Sequence, residues 1–172
     1  MPDDQDAARR LVLEGLREHF GFLDETRNPD LDDIASSYAG QVFLLAEEQG
    51  RIVGTGALVR VTKHVGQIGR MSVDRQHRRT GIGRMILARL LEHASASGYR
   101  WIVLETNQAW ADANAFYRAG GFTEIGRGFG GVAFALDLQA EDGRPSSLRS
   151  RWLLLKLLWR HVRPRPGRRL RR

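Results

Sequence analysis

The spacing of apolar residues predicts two helices and three strands in the first half of the chain. Apolar positions three or four apart over residues 3–21, after a pair of acids suited to capping, are typical of an amphipathic helix. A shorter helix is predicted over 28–38. Apolar and β-branched runs at 42–46 and 51–61 flank a polar turn and indicate a β-hairpin, and a third strand is expected over 67–73.

The second half of the chain alternates helical and strand patterns. Two neighbouring rows of isoleucine, leucine and alanine predict a helix over 82–97, and a short apolar run predicts a buried strand over 101–104. A further helix is expected over 110–119, followed by strands over 122–125 and 132–138 around a glycine-rich turn. This order of elements predicts an α/β (α+β) fold in which helices cover the faces of a mixed sheet.

Composition narrows the class of protein. The chain has 172 residues, which is enough for one domain with a real core. It contains no cysteine, and this excludes disulfides, thiolate metal sites and a cysteine nucleophile. The five histidines lack metal-ligand spacing, so we predict no metal site. The sequence shows neither an apolar signal core nor a run of bilayer-spanning length, and we therefore expect a cytoplasmic protein.

The net charge of +7 is concentrated at one end. Residues 141–172 contain eleven Lys or Arg and two acids, so this extension carries +9 and residues 1–140 carry −2. We predict one domain over 1–140 and a basic C-terminal extension over 141–172 with a short apolar helix at 148–162. That helix could dock on its own domain or on a sister subunit of a homodimer, which we favour. It could instead lie on an anionic membrane surface, and contact with nucleic acid is least expected.

The chemically most specific segment is residues 78–84 (RRTGIGR), here called the phosphate cradle. It follows a predicted strand and opens a predicted helix. The first amides of a helix have no carbonyl partners, and the helix dipole favours an anion there. Glycines let the backbone approach phosphate oxygens, and arginines add charged donors. A pyrophosphate is the expected ligand, although such a segment can also be a plain turn with solvated arginines.

Two other nucleotide-binding patterns do not fit the chain. A P-loop requires Gly-Lys-Ser/Thr at the helix start, and a dinucleotide fingerprint requires a third glycine where this chain has Ile86. A second glycine pair, Gly54 and Gly56, lies inside a predicted strand with no helix directly after it. We expect these two glycines to mark a bulge or a close approach of another element.

Two ordered motifs resemble a known family. Arg78-x-x-Gly81-x-Gly83 is similar to the Q/R-x-x-G-x-G/A motif of the GNAT superfamily of acetyl-CoA-dependent N-acetyltransferases. The segment 116–122 (FYRAGGF) is similar to the FY-x3-GF signature of the same family, and 71–74 to its flanking strand. The resemblance follows the element order over 7–138 and is specific over 70–123.

The resemblance implies a fold and a set of cofactor contacts. It implies a mixed, mostly antiparallel central sheet that splays open after the third strand, where the pantetheine arm of acetyl-CoA adds a pseudo-strand. Backbone groups of Met71 and Val73 would contact the pantetheine and the acetyl carbonyl, and the amides of 79–84 would hold the pyrophosphate. The residues implied in cofactor binding are Met71, Val73, Arg78, Arg79, Thr80, Gly81, Ile82, Gly83, Arg84, Asn107 and Tyr117.

The resemblance also implies the chemistry, which is direct attack of a primary amine, of a small molecule or a protein, on the thioester. Tyr117 stands at the position of the family's tyrosine near the sulfur, where a phenol can act as general acid. The alternative is a tyrosine whose hydroxyl is satisfied locally. Glu105, twelve residues earlier, is the candidate base, or else an acid that orients a neighbour or meets solvent. The alternative function is a non-catalytic acyl-CoA-binding or regulatory module that acts through the basic extension.

The chain departs from the family pattern in two places. Family members often carry a cofactor-contacting asparagine seven residues before the tyrosine, where this chain has Trp110. Asn107 could contact the pantetheine instead, whereas we expect Asn114 only to cap or to face solvent. The family also has a strand before the first helix, which is either absent here or precedes the given sequence. The acids at 30, 32 and 33 could attract a cationic amine or could cap a helix.

Overall fold

The computed structural model describes two compact units, residues 1–102 and 103–172. The residues that it describes are 2–21, 26, 28–141, 143–144 and 148–162. Among the helices so described, none is both long and apolar enough to cross a bilayer.

The first unit is a three-stranded antiparallel sheet with helices on both faces. Its elements are α1 (Pro2–Phe20), a 3-10 turn (Pro29–Leu31), α2 (Ile34–Ser37), β1 (Val42–Glu48), β2 (Arg51–Thr62), β3 (Val65–Val73), a 3-10 turn (Arg75–His77) and α3 (Ile82–Ala96). The long strand β2 pairs with β1 on one side and with β3 on the other.

Helices α1 and α3 pack on opposite faces of this sheet. On one face the Ser72 hydroxyl donates to the Leu11 carbonyl at 3.1 Å, and a Cβ at Gly15 would lie 2.7 Å from the same hydroxyl. On the other face α3 presses against Gly54 and Gly56, which alternate with the Ser72 partner Thr55 along β2. The apolar side of each predicted helix is therefore the side that packs against the sheet.

The glycine pair in β2 is a close-approach site, as predicted. A Cβ at Gly54 would lie 2.6 Å from Ile86 Cδ1, and a Cβ at Gly56 would lie 2.6 Å from Ile86 Cγ2. The pairing of β2 with β3 is also irregular between Thr55 and Ala57. Because real Cβ atoms do not approach so closely, the two glycines set how near the first turns of α3 come to the sheet.

The second unit is a three-stranded sheet between two helices. It contains β4 (Trp101–Asn107, from Val103 onwards), α4 (Ala111–Ala119), β5 (Thr123–Gly128), β6 (Gly131–Asp137) and α5 (Leu148–Val162). Strand β6 lies between β4 and β5. The structure thus has the predicted order of elements, and the apolar helix has the predicted bounds.

Helices α4 and α5 lie on opposite faces of the second sheet. The Tyr117 ring of α4 is 6.2 Å from the Phe134 ring, whereas Leu155 of α5 fills the space where Gly126 lacks a Cβ. Gly126 pairs with Ala133, which points to the face opposite Phe134 because neighbouring residues of a strand alternate. The helix of the basic extension is therefore part of the second unit.

The mixed, mostly antiparallel α/β class is confirmed by these six strands and their flanking helices. Single boundaries differ from the prediction, since β3 begins at Val65 and the last hairpin has its turn at residues 129–130. The predicted domain limits, 1–140 and 141–172, differ from the two compact units and stay a prediction.

Candidate active site

A rigid turn leads from β3 into α3. The Asp74 carboxylate accepts from the Gln76 amide at 3.0 Å and contacts His77 Nδ1 at 2.6 Å. His77 Nε2 lies 3.0 Å from a Glu48 carboxylate oxygen. The hydrogen bond with His77 is the main cause that lowers the pKa of Asp74. His77 is therefore a structural residue, and it fixes the chain just before the phosphate cradle.

The backbone of the cradle turns sharply before the helix begins. Arg79 and Gly81 both have positive φ, 66° and 99°, and Gly81 is the N-cap of α3. The Met85 amide donates the first helical hydrogen bond, to the Gly81 carbonyl at 3.0 Å. The amides of residues 82–84 therefore precede the helical hydrogen-bond ladder at the positive end of the helix dipole. Such a backbone fits an anionic ligand.

The side chains of the cradle divide into two groups. Arg78 is engaged, because its Nε donates to the Val73 carbonyl at 3.1 Å and its Nη2 donates to Glu18 at 2.6 Å. The Thr80 hydroxyl is engaged as well and donates to the His77 carbonyl at 2.6 Å. Arg79 and Arg84 are exposed and form no ion pair within the described part of the chain. These two guanidinium groups are available to a phosphate.

Met71 and Val73, the residues predicted to present their backbone to the cofactor, lie in β3 directly after a bulge. Opposite the short span Thr55–Ala57, β3 has one extra residue, and Arg70 at this place has a φ of 54°. The Thr55 hydroxyl donates to the Arg70 carbonyl at 2.7 Å. The bulge redirects the strand just where the resemblance places the acetyl carbonyl.

The Arg70 side chain ties the bulge to the segment before α2. Its Nε donates to Asp30 Oδ2 at 2.9 Å, and its Nη1 donates to Asn28 Oδ1 at 2.9 Å. The Tyr38 hydroxyl donates to the same Asp30 carboxylate at 2.7 Å, and burial is the main cause that raises the pKa of Tyr38 to about 12. Sequence reasoning missed this network, because its members are far apart in the chain.

The acids at the start of the second helix have intramolecular partners. Asp33 caps α2 and accepts from the Ser36 amide at 2.9 Å. Asp32 lies 3.6 Å from an Arg9 guanidinium nitrogen, and Asp30 is bound to Arg70. The capping and packing interpretation of these acids therefore describes them better than the attraction of a cationic amine.

Tyr117, in the second unit, is buried and its ring is packed on three sides. Ring centroids lie 5.2 Å away for Phe116, 5.9 Å for Phe122 and 6.2 Å for Phe134. Only 8% of the residue is exposed, and its hydroxyl has no hydrogen-bond partner among the residues that the structure describes. Burial raises the pKa of Tyr117, so the phenol stays protonated at neutral pH. The alternative interpretation, in which a nearby group satisfies the hydroxyl, therefore has no such group among the described residues.

Glu105 is half-buried near the end of β4. Burial raises the pKa of its carboxyl, and no ion pair or hydrogen bond to it occurs within the described ranges. A Cβ at Gly131 would overlap the carboxylate, so the missing side chain there makes its room. Gly131 and Phe134 lie on opposite faces of β6, and hence Glu105 and Tyr117 lie on opposite faces of the second sheet.

The connection from β4 to α4 is held by two asparagines. Asn107 Oδ1 accepts from the Ala109 amide at 2.8 Å, and Asn114 Nδ2 donates to the carbonyls of Asn107 and Trp110 at 2.9 and 2.7 Å. Asn114 does not face solvent, which corrects one of its two predicted roles. Its Oδ1 is buried and has no partner among the described residues, and Asn114 lies on the same buried helix face as Tyr117. The sequence feature that could have indicated a buried Asn114 is the presence of a polar residue within an apolar row of the helix.

The predicted site residues therefore occupy two places. The cradle, Met71 and Val73 lie in the first unit, and Glu105, Asn107 and Tyr117 lie in the second. Over the described ranges, no group of three His, Asp or Glu side chains could hold a metal ion. The catalytic and cofactor roles of these residues stay predictions.

Sequence comparisons match the chain to acetyltransferases. The family model described as Acetyltransferase (GNAT) family matches residues 9–122. IAA acetyltransferase of Azospirillum brasilense is 34% identical over 124 residues, which cover 71% of this chain and 80% of that protein. N-acetyltransferase 8B of Homo sapiens is 32% identical over 116 residues, 63% of this chain and 51% of that protein. The chain thus spans about half the length of the curated N-acetyltransferase 8 proteins that it matches.

Structural comparison gives the same family. A GNAT-family acetyltransferase from Staphylococcus aureus Mu50 superposes with a TM-score of 0.73 at 25% identity, covering 78% of this chain and 93% of that one. Structures of the same fold include complexes with coenzyme A and with acetyl-CoA. The predicted resemblance to this family is confirmed, and the relatives that the chain matches are named acetyltransferases. The chain belongs to the GNAT acetyltransferase family.

Proposed function

We propose that this protein is an N-acetyltransferase that moves the acetyl group of acetyl-CoA to a primary amine of a small molecule or a protein. The observation that carries the proposal is the start of α3. There, two residues with positive φ turn the chain so that three amides precede the helical hydrogen bonds, beside two exposed arginines. Family membership makes the pyrophosphate of CoA the anion expected at such a turn.

Each part of the cradle has a separate task in binding. The amides of residues 82–84 donate to phosphate oxygens, and the Arg79 and Arg84 guanidinium groups add charge from the exposed side. Arg78 has a different task, since it clamps the loop to Glu18 and to the end of β3. We expect its loss to affect binding through the position of the loop.

Bound acetyl-CoA supplies an activated acyl group as a thioester. In the proposal the acceptor nitrogen forms a bond to the acetyl carbon, the carbon–sulfur bond breaks, and one proton leaves the nitrogen. Glu105 accepts that proton, directly or through water, because its raised pKa makes it a better base than an ordinary glutamate. The Tyr117 hydroxyl donates to the departing sulfur.

The geometry of the second unit supports this division of labour. Glu105 and Tyr117 lie on opposite faces of one sheet, and neither polar group has a partner within the described ranges. Two separate groups are therefore present for the two proton transfers, Glu105 for the amine and Tyr117 for the sulfur. Polar groups without such a partner can bond to a polar ligand that enters the site.

The test is thiol release from acetyl-CoA with a panel of primary amines, including small polyamines and peptides with a free N-terminus. We expect release above background with at least one amine, and strong loss in Tyr117→Phe and Glu105→Ala. If acetyl-CoA binds and no amine gives thiol, the protein is the non-catalytic module instead. If acetyl-CoA gives no thermal shift at high concentration, the proposed cradle is wrong as well.

We also propose a cytoplasmic location, because an enzyme that uses acetyl-CoA must lie in a compartment that contains acetyl-CoA. Fractionation of cells that express the tagged full chain tests the location. The tagged chain should be recovered with cytoplasmic markers or on the inner face of the membrane. Recovery outside the cell would contradict it.

A further inference from the structure

Helix α5 uses only one side to dock on the second unit. Leu154 and Leu158 are buried, and Leu155 fills the space left by Gly126. Arg151 Nη2 donates to the Glu124 carbonyl of β5 at 2.7 Å. This side of the helix is therefore covered by the second unit, whereas Trp152 and Leu153 on the other side are exposed.

The uncovered side carries an amphipathic patch, made of Trp152, Leu153 and Lys156 and here called the outer patch. Trp152 is 60% exposed and Leu153 is 55% exposed, although both are large and apolar. The Lys156 ammonium lies 3.9 Å from the centre of the Trp152 ring. A cation above an exposed tryptophan, next to an exposed leucine, combines a group that enters lipid with one that meets its headgroups.

The extension that carries the outer patch is strongly basic in sequence. The extension from residue 141 carries +9, and six of the ten residues after Val162 are arginines. The rest of the chain carries −2, so the attraction to an anionic surface comes from this end alone. Salt screens such attraction within about 8 Å at physiological ionic strength, so it acts only close to the surface.

The size of the patch selects the kind of partner. Within the described side chains of α5, the two exposed apolar ones offer far less than the about 800 Å² that each partner buries in a stable protein–protein interface. Docking on a bilayer requires a smaller apolar surface, because the shallow insertion of a tryptophan and a leucine adds to the attraction of many basic residues. We propose that the outer patch and the basic end dock this protein on the surface of an anionic phospholipid bilayer.

Co-sedimentation of the full chain with vesicles tests the proposal. We expect binding to vesicles of phosphatidylcholine with phosphatidylserine, and at least about tenfold weaker binding to phosphatidylcholine alone. Trp152→Gln with Leu153→Gln should remove most of the binding, and Lys156→Gln should weaken it about fivefold. Met85→Gln changes a residue of α3 that is 52% exposed, and it is the matched control that should bind as the wild type does.

Three outcomes would overturn the proposal. One is equal binding to neutral and anionic vesicles, and another is wild-type binding by the Trp152→Gln, Leu153→Gln variant with its fold intact by circular dichroism. The third is a stable dimer in light scattering that this variant dissociates, because the outer patch would then be a protein interface. None of these readouts depends on acetyl transfer, so the proposal stands or fails independently of the proposed function.

Discussion

Replacing Tyr117 by phenylalanine removes one oxygen and leaves the packing of its ring unchanged. The Tyr117 hydroxyl has no partner within the described ranges, and the residue is 8% exposed. A hydroxyl that forms no hydrogen bond with the protein adds little to its stability, so its removal should change the free energy of unfolding by less than about 0.5 kcal/mol. For a chain of this size that is a change of less than about 2 °C in Tm.

Tyr99→Phe is the matched control. Tyr99 is also 8% exposed, but its hydroxyl accepts from Arg60 Nε at 3.3 Å. Loss of this hydrogen bond should cost about 0.5–1.5 kcal/mol and lower Tm. The two substitutions are chemically identical, so a fall in Tm for Tyr99→Phe and a nearly unchanged Tm for Tyr117→Phe would isolate the state of the hydroxyl in the folded protein.

Activity should change in the reverse order. Loss of a general acid costs about 10²- to 10⁴-fold in rate, so Tyr117→Phe should lower kcat by about that factor while Tyr99→Phe leaves it nearly unchanged. Calorimetric melting and thiol release on the same preparations measure both quantities. A fall in Tm for Tyr117→Phe as large as that for Tyr99→Phe would refute the reasoning, because the hydroxyl would then have a partner before any ligand binds.

Three further predictions concern the groups around the site. Because burial raises the pKa of Glu105, the folded state favours the protonated carboxyl. The stabilisation of the fold by this group is full below the ordinary pKa of about 4.3 and is lost as the pH rises through the raised value. Glu105→Gln should therefore melt higher than wild type at neutral pH but not in acid, and equal shifts at both pH values would contradict this. Gly131→Ala would place a Cβ 2.9 Å from the Glu105 Cδ, so it should lower thiol release about tenfold or more by moving the carboxylate, and unchanged kinetics would argue against that base. Gly54→Ala should cost about 1–3 kcal/mol in chemical unfolding by pushing on Ile86 Cδ1, and adding Ile86→Val, which lacks that atom, should give less than the summed losses; strict additivity would show that the two side chains do not meet.

The helices and strands could be predicted because their burial is periodic in the sequence. In α3, the two neighbouring apolar rows contain the buried residues Ile86, Leu87, Leu90 and Ala94, as their spacing indicated. The cradle could also be predicted, since glycine at the N-cap of a helix is a local signal and Gly81 does have a positive φ. Local features of this kind need no knowledge of the tertiary structure.

Features that depend on distant pairing could not be predicted. Arg70 meets Asp30 across 40 residues, and nothing in either segment marks the other as its partner. The same holds for Glu105 and Gly131. These residues are close together because β4 and β6 are adjacent in the sheet although they are not consecutive in the chain. The side of α5 that docks could not be predicted either, because its sequence is apolar on most sides and the contacts that select one side, such as that of Leu155 with Gly126, join distant segments.

The central claim is that the phosphate cradle binds the pyrophosphate of acetyl-CoA. Titration calorimetry with acetyl-CoA and with S-acetylpantetheine, which lacks the pyrophosphate, tests it on the wild type and on Arg79→Ala with Arg84→Ala. We expect the double substitution to weaken acetyl-CoA binding by about tenfold or more and to leave the weaker binding of S-acetylpantetheine unchanged. Equal losses for the two ligands, or no loss for acetyl-CoA, would contradict it.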